Sequence, residues 1–235
     1  MTIKIEIWSD IACPWCYIGK HRFESGLARF AHRDQVEVIW RSYQLDPDAP
    51  RTTDKTLNEV LAEKHGMSLA QATVLNAQLT ATAANEGLDY HFERTRYSNS
   101  FDAHRLIQFA RGRGRQGEME ERLFKAYFSE GKAIGDKDTL VELAVDVGLD
   151  AGEAGAVLMS DTHADDVRAD IARGAGLGIR GVPFFVIDGR YGVSGAQLPE
   201  AFQQVLRQVW TETHPQVNLG DPQDGHVCNS DSCNV

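Results

Sequence analysis

The hydrophobic period of this chain is two near both ends and helical in between, and that order restricts the fold more than any other feature. Residues 3–9 alternate, with Ile3, Ile5 and Ile7 against Lys4, Glu6 and Trp8, a half-buried strand pattern. Residues 14–31 then read as a helix opened by Pro14, which fits the first turn because its missing N–H would be unpaired there. Residues 36–43 alternate again. From about 54 to 175 the pattern is helical throughout. At Gly181 the period returns to two, and Asp188-Gly189 splits the run into a hairpin. A last amphipathic helix runs from Gln197 to about Thr213. Neither terminal piece has enough strands to be stable alone. The two must therefore meet in one sheet, with the helical block inserted between them. The fold class is α/β. The expected domains are 1–50 with 176–213, an inserted helical domain over 51–175, and a loose tail over 214–235.

Within the block, Gly66 reads as the stop of a helix carrying Leu57, Val60 and Leu61. Ser68 with Gln71 is a capping-box signature, and Leu75 and Leu79 continue one face. Ser98 or Asn99 is the expected cap for the stripe Ala103, Leu106, Ile107 and Ala110. Met119, Leu123, Phe124, Tyr127 and Phe128 form the next stripe. Asp138 and Asp150 are the expected caps of two further helices, and a last one begins near Thr162. These stripes are read as core.

The chain has 235 residues, of which 42% are hydrophobic and 25% charged. That is globular composition, not a disordered chain. Its net charge of −10, without a basic tract, excludes a nucleic-acid partner held by phosphate neutralisation and an anionic membrane surface. No run approaches the ~20 apolar residues that span a bilayer. The alternating N-terminus is not a signal peptide, so a cytoplasmic location is expected. Four cysteines fall in two pairs, Cys13/Cys16 and Cys228/Cys233. In a reducing compartment such pairs are redox-active or metal-binding rather than structural staples.

Cys13-Pro14-Trp15-Cys16 lies where a strand passes into a helix. At a helix N-terminus, free N–H groups and the macrodipole stabilise a thiolate, the species that attacks a disulfide. Cys16 follows about one turn later, placed to resolve a mixed disulfide. Cys13 is therefore the expected nucleophile and Cys16 the resolving thiol. The competing reading is half a zinc site, which needs a second close pair.

This motif, followed by Val182-Pro183 ahead of a strand, resembles the thioredoxin fold. A helical domain between the two halves is similar to the DsbA-like variant. Asp10-Ile-Ala-Cys-Pro-Trp-Cys-Tyr-Ile-Gly19 and Asn99-Ser-Phe-Asp-Ala-His-Arg-Leu106 resemble its FrnE branch. The resemblance covers residues 3 to about 213. It implies a protein dithiol-disulfide oxidoreductase with isomerase activity open, a link to oxidative stress, and a cis Val182-Pro183 bond against the dithiol. On it, Pro14, Trp15, Val182 and Pro183 are expected to contact substrate. Related 2-hydroxychromene-2-carboxylate isomerases and class kappa glutathione transferases share the Phe101–Leu106 block and bind glutathione. Asn99, Asp102 and His104 are therefore candidates for lining a glutathione cleft, against a helix-surface role for each. No tightly bound cofactor or metal is expected; glutathione or a thioredoxin-type protein is the expected electron partner, and proteins with thiols or disulfides are the substrates. Two other functions stay open: a glutathione-dependent small-molecule enzyme, and a redox-sensing holdase.

Cys228-Asn-Ser-Asp-Ser-Cys233 carries small polar residues that turn easily. It reads as a shuttle pair for Cys13/Cys16, as a weak metal site with His226, or as a passive tail. About 20 flexible residues span ~25 Å, enough to reach the first pair. Asp10 is read as a solvated loop residue, with tuning of the thiolate as the alternative. Arg111, Arg113 and Arg115 read as a solvated loop. Nothing in the sequence sets an oligomeric state.

Overall fold

The computed structural model describes residues 2–215. Met1 and residues 216–235, with the Cys228/Cys233 pair, lie outside the described residues. The two alternating ends do meet in one sheet. Strand β1 (Ile3–Ser9) leads through helix α1 (Pro14–Ala28) to β2 (Val36–Ser42). Seven helices follow: α2 (Leu57–His65), α3 (Leu69–Asn85), α4 (Phe101–Arg111), α5 (Gln116–Phe128), α6 (Lys137–Asp146), α7 (Ala151–Met159) and α8 (Ala164–Gly176). The chain closes with β3 (Phe184–Ile187), β4 (Tyr191–Ser194) and α9 (Pro199–Thr213).

The sheet order is β2-β1-β3-β4. β1 runs parallel to β2, from Ile3 opposite Val36 to Ser9 opposite Ser42. It runs antiparallel to β3, with Ile7 opposite Phe185 and Trp8 opposite Phe184. The Asp188-Gly189 turn places both residues at positive φ, 53° and 66°, the pairing that matches strand twist in a tight hairpin. One face of the sheet packs Phe185 against Phe23 of α1 and Phe202 of α9, with ring centroids 5.5 and 4.7 Å away. Gly26 allows this approach, since a Cβ there would lie 2.7 Å from the Pro199 carbonyl oxygen.

The other face departs from the half-buried reading. Glu6 and Trp8 are buried as fully as the isoleucines, because α8 covers them. The Trp8 indole donates to the Asp170 carbonyl at 2.9 Å. Glu6 takes Arg41 and Arg173, both at 2.5 Å. Asp170 in turn accepts from Arg41, the Ser42 N–H and Gln108 of α4 at 2.8, 3.1 and 2.6 Å. A charged cross-brace thus ties sheet, α8 and α4 together.

Helix starts differ in two places. The capping box at Ser68 is present, but Asp136 rather than Asp138 caps α6. Ser100 begins α4, while the Asn99 side chain accepts the Phe101 N–H at 2.9 Å. Leu75 is exposed rather than core: α3 turns Ala72, Asn76 and Ala83 inward, where Asn76 donates to Asn58 of α2 at 2.6 Å.

Candidate active site

The strand β1 ends at Ser9, and the chain turns through Asp10–Ala12 into α1. The Cys13 N–H donates to the Asp10 carbonyl at 2.9 Å, and the Cys16 N–H to the Cys13 carbonyl at 3.0 Å. Cys13 is the N-cap of α1, with Pro14 directly behind it and no acidic residue in the first turn. Its thiol therefore meets the positive end of a fifteen-residue helix, with no nearby carboxylate on that helix to oppose it. Both cysteines are free thiols and both are buried, 4% exposed at Cys13 and 1% at Cys16. Burial pushes the Cys16 thiol well up, with the Cys13 neighbour adding to it; a backbone hydrogen bond from Asp10 works the other way. Cys16 thus holds its proton until the mixed disulfide needs it.

The Val182-Pro183 bond is cis, as the resemblance implied. The Cys13 Sγ points at the Val182 carbonyl oxygen, 3.7 Å away. Gly19 makes the approach of α1 to Pro183 feasible, since a Cβ there would stand 2.7 Å from the proline Cγ. Trp15 is 45% exposed and Leu45, beside Asp10, is 52% exposed. Tyr90 closes the other side and donates to the Pro14 carbonyl at 2.7 Å. Its phenol is held protonated, first by burial and then by the dithiol's charge. Tyr17 stacks on Phe124 at 4.9 Å and donates to Glu121 at 2.6 Å. Lys20 bridges Glu121 and Glu24 at 2.6 and 2.8 Å.

The structure thus gathers Cys13, Pro14, Trp15, Cys16, Val182 and Pro183 in one place. Asn99 stands elsewhere. Its side chain donates to the Pro47 and Ala49 carbonyls and accepts from Gln44, at a cleft it shares with Arg51, Asp102 and Arg168. His104, expected to line a cleft, is 1% exposed. It points inward from α4, with Nε2 3.5 Å from Asp10 Oδ1. Asp102 pairs with Arg105 at 2.8 Å, and Arg105 donates to the Val157, Ser160 and Thr162 carbonyls. Asp10 itself is 1% exposed, not a solvated loop residue: it accepts the Ala12 and Leu45 N–H groups at 3.1 and 2.7 Å.

A model of the DSBA-like thioredoxin domain matches residues 4–207. The chain belongs to this family. A probable DsbA oxidoreductase from Streptomyces coelicolor is 46% identical, with 99% of each chain covered and a TM-score of 0.85. An uncharacterised protein from Bacillus subtilis is 28% identical over 218 residues, 88% of this chain and 96% of its own length. The cytosolic disulfide reductase DsbM from Pseudomonas aeruginosa shares the fold, at 18% identity and a TM-score of 0.63 over 89% of this chain and 99% of that one. The DSBA-like fold explains why the dithiol and the cis proline, far apart in sequence, face each other. Among the described residues, no helix is long and apolar enough to cross a membrane.

Sequence reasoning missed Glu120, which is 1% exposed on α5. Its signal was available: it shares the inward face of Met119, Leu123, Phe124 and Tyr127. A carboxylate on a core-facing stripe is never incidental, because burying a charge is costly.

Proposed function

We propose that this protein exchanges disulfides with protein substrates through Cys13 and Cys16. The observation that carries the reading is the Cys13 thiol at a helix N-terminus, aimed at the Val182 carbonyl beside the cis proline. The Cys13 thiolate attacks one sulfur of a substrate disulfide. A mixed disulfide forms and one substrate thiolate leaves. Cys16 then gives up its proton, attacks the Cys13 sulfur and releases the second substrate thiol. The substrate gains two electrons, and the protein ends with a Cys13–Cys16 disulfide. Turnover needs an outside dithiol or glutathione to return it to the reduced form. The exposed Trp15 and Leu45 offer apolar contact to an unfolded polypeptide, with Val182 and Pro183 on the opposite wall.

In a reducing compartment the cycle runs as reduction, isomerisation or rescue of oxidised proteins. Glutathione is a suitable electron donor, and the fold neighbour DsbM has been seen with it. The Cys228/Cys233 pair is the proposed relay between that donor and Cys13/Cys16. The test is dithiothreitol-driven insulin reduction by wild type, Cys13→Ser and a chain truncated after Gly220. The expected result is activity that vanishes with Cys13→Ser and falls with the truncation. Full activity in the truncated chain removes the relay. A folded wild type with no activity removes the reading, in favour of a glutathione-dependent small-molecule enzyme or a redox-sensing binder.

A further inference from the structure

A small polar cavity opens between the α2–α3 pair and the segment before α4, and the exchange steps do not use it. Asn58, Thr73, Asn76, Thr80, Tyr90 and Phe92 line it. Most of its polar groups are already engaged. The Thr73 and Thr80 hydroxyls donate to the Leu69 and Asn76 carbonyls of their own helix, at 2.8 and 2.9 Å. Glu93, also on the lining, is taken by His91 at 2.9 Å. Asn76 Nδ2 donates to Asn58 Oδ1 at 2.6 Å. That leaves Asn58 Nδ2, a donor, and Asn76 Oδ1, an acceptor, without a protein partner among the described residues. Both side chains belong to residues only 9% and 8% exposed. Neither atom is sealed from solvent, and the cavity is the opening that both residues line. Tyr90 joins this cavity to the dithiol. It forms part of the lining, and its hydroxyl donates to the carbonyl of Pro14, between the two cysteines, at 2.7 Å.

We propose that this cavity is a subsite for the main chain of a substrate polypeptide, and that the Asn58–Asn76 pair holds one peptide unit beside the disulfide under attack. The proposal rests on the proposed disulfide exchange for the identity of its substrate. A peptide unit presents one N–H and one C=O, and the pair presents one free N–H donor group and one free C=O. Each partner thus answers the other, and two buried polar atoms gain the bonds that such atoms ordinarily make. Size points the same way. The cavity holds about 230 Å³, below the roughly 300–1,000 Å³ of sites that enclose a whole small molecule, so its occupant is part of something larger. Tyr90 and Phe92 meet edge to face at 5.5 Å and give the bound segment an apolar wall. Recognition of the main chain is independent of sequence, which suits an enzyme that meets disulfides in many proteins. The substrate chain then crosses from Val182 and Pro183, over Cys13, to the inserted helices.

The test is single-turnover oxidation of the prereduced protein by two disulfides. One is a short unstructured peptide of glycine, serine and two bridged cysteines; the other is hydroxyethyl disulfide, which carries no amide. Asn58→Leu with Asn76→Leu removes both partners together and strands no donor. This double variant should lower the second-order rate constant for the peptide about tenfold relative to that for hydroxyethyl disulfide, the loss of two ordinary hydrogen bonds. Ala77→Trp, which fills the cavity from an exposed position on α3, should do the same, and it decides if the double variant does not fold. Gln78→Trp, exposed on α3 outside the cavity, is the control and should keep the ratio within about twofold of wild type. A ratio that stays equally close to wild type in the folded double variant, or failing that in Ala77→Trp, overturns the proposal. A second readout needs no redox step. A cysteine-free glycine–serine peptide should shift the side-chain amide NMR signals of Asn58 and Asn76 in wild type; no shift overturns the proposal. Binding only by a peptide that carries glutamine makes the occupant a side-chain amide and overturns it equally. Shifts in a wild type that is inert toward the peptide disulfide sink the proposed function and leave the subsite as a polypeptide site.

Discussion

Replacing Glu120 by Gln should stabilise the protein at alkaline pH and leave it nearly unchanged in acid. Burial raises the Glu120 carboxyl from its ordinary 4.5 to about 7, against the pull of His104 and Lys20. In the unfolded chain the group ionises near 4.5. Between those values the native state holds a proton that the unfolded state has lost, so stability falls as pH rises through the window. At about 1.4 kcal/mol per pH unit, the full window is worth about 3 kcal/mol. Below pH 4.5 the carboxyl is protonated in both states and the penalty for burying its charge is gone. Glutamine keeps the volume and a polar end but cannot ionise. The assay is urea unfolding of wild type and Glu120→Gln at pH 4.5 and pH 8, which flank the pI of about 5.2 and keep the chain charged. The variant should match wild type within roughly 0.5 kcal/mol at pH 4.5, the usual scale of a neutral substitution. At pH 8 it should be more stable by about 3 kcal/mol, or roughly 6–12 °C in Tm. Equal stability of the two proteins at pH 8 would mean that the buried carboxyl ionises freely, and the argument from burial would be wrong.

Three further outcomes follow from single contacts. Asp170→Ala should cost about 3–5 kcal/mol in urea unfolding, because it takes one of two carboxylates from the buried Arg41 and strands the donors of Ser42 and Gln108 in the interior; Asp165→Ala, fully exposed, is the control and should stay within about 0.5 kcal/mol. Gly19→Ala should lower insulin reduction and cost about 1–3 kcal/mol, since the added Cβ meets Pro183 Cγ at 2.7 Å; unchanged activity would show that Pro183 can retreat harmlessly. Glu121→Gln should flatten acid unfolding. Burial opposes ionisation of Glu121, but His21, Lys20 and Tyr17 hold its carboxyl down to about 2. Its contribution is present above pH 4.5 and lost as pH falls toward 2, so an unaltered acid transition would count against it.

Period and punctuation made the elements legible. Gly66 stops α2 with φ 61°, Ser68 and Asp150 cap where their spacing says, and Asp188-Gly189 makes the hairpin. The dithiol was legible because its chemistry is local: two cysteines one turn apart at a helix start. Caps at 99 and 138 misled because several polar residues compete at each start, and tertiary contacts choose among them. Asn99 spends its amide on the Pro47 and Ala49 carbonyls, which no local pattern shows. Burial of polar residues was the larger loss. Glu6 and Trp8 sat on what looked like a solvent face until α8 covered it. Asp10 looked like loop, and its partners Leu45 and His104 lie 35 and 94 residues away.

That loss shows what the inserted helices do for the dithiol. The strand–helix junction alone would leave Asp10 facing solvent, where high dielectric weakens its hold on the cysteines. Helices α4 and α5 close over it, and His104 and Glu120 arrive with them. In that low-dielectric setting burial pushes the Cys16 thiol up, and the Asp10 charge adds to it. The same helices bring Tyr127 and Phe128, and the turn before α4 brings Tyr90 to the Pro14 carbonyl. The insertion therefore contributes the rear wall of the active site, whatever it also does at the substrate's side. An α/β sheet with the same dithiol but a different insertion would keep the nucleophile and lose this electrostatic setting. The strand–helix junction supplies the dithiol, and the buried charges and rings behind it come from the helical side.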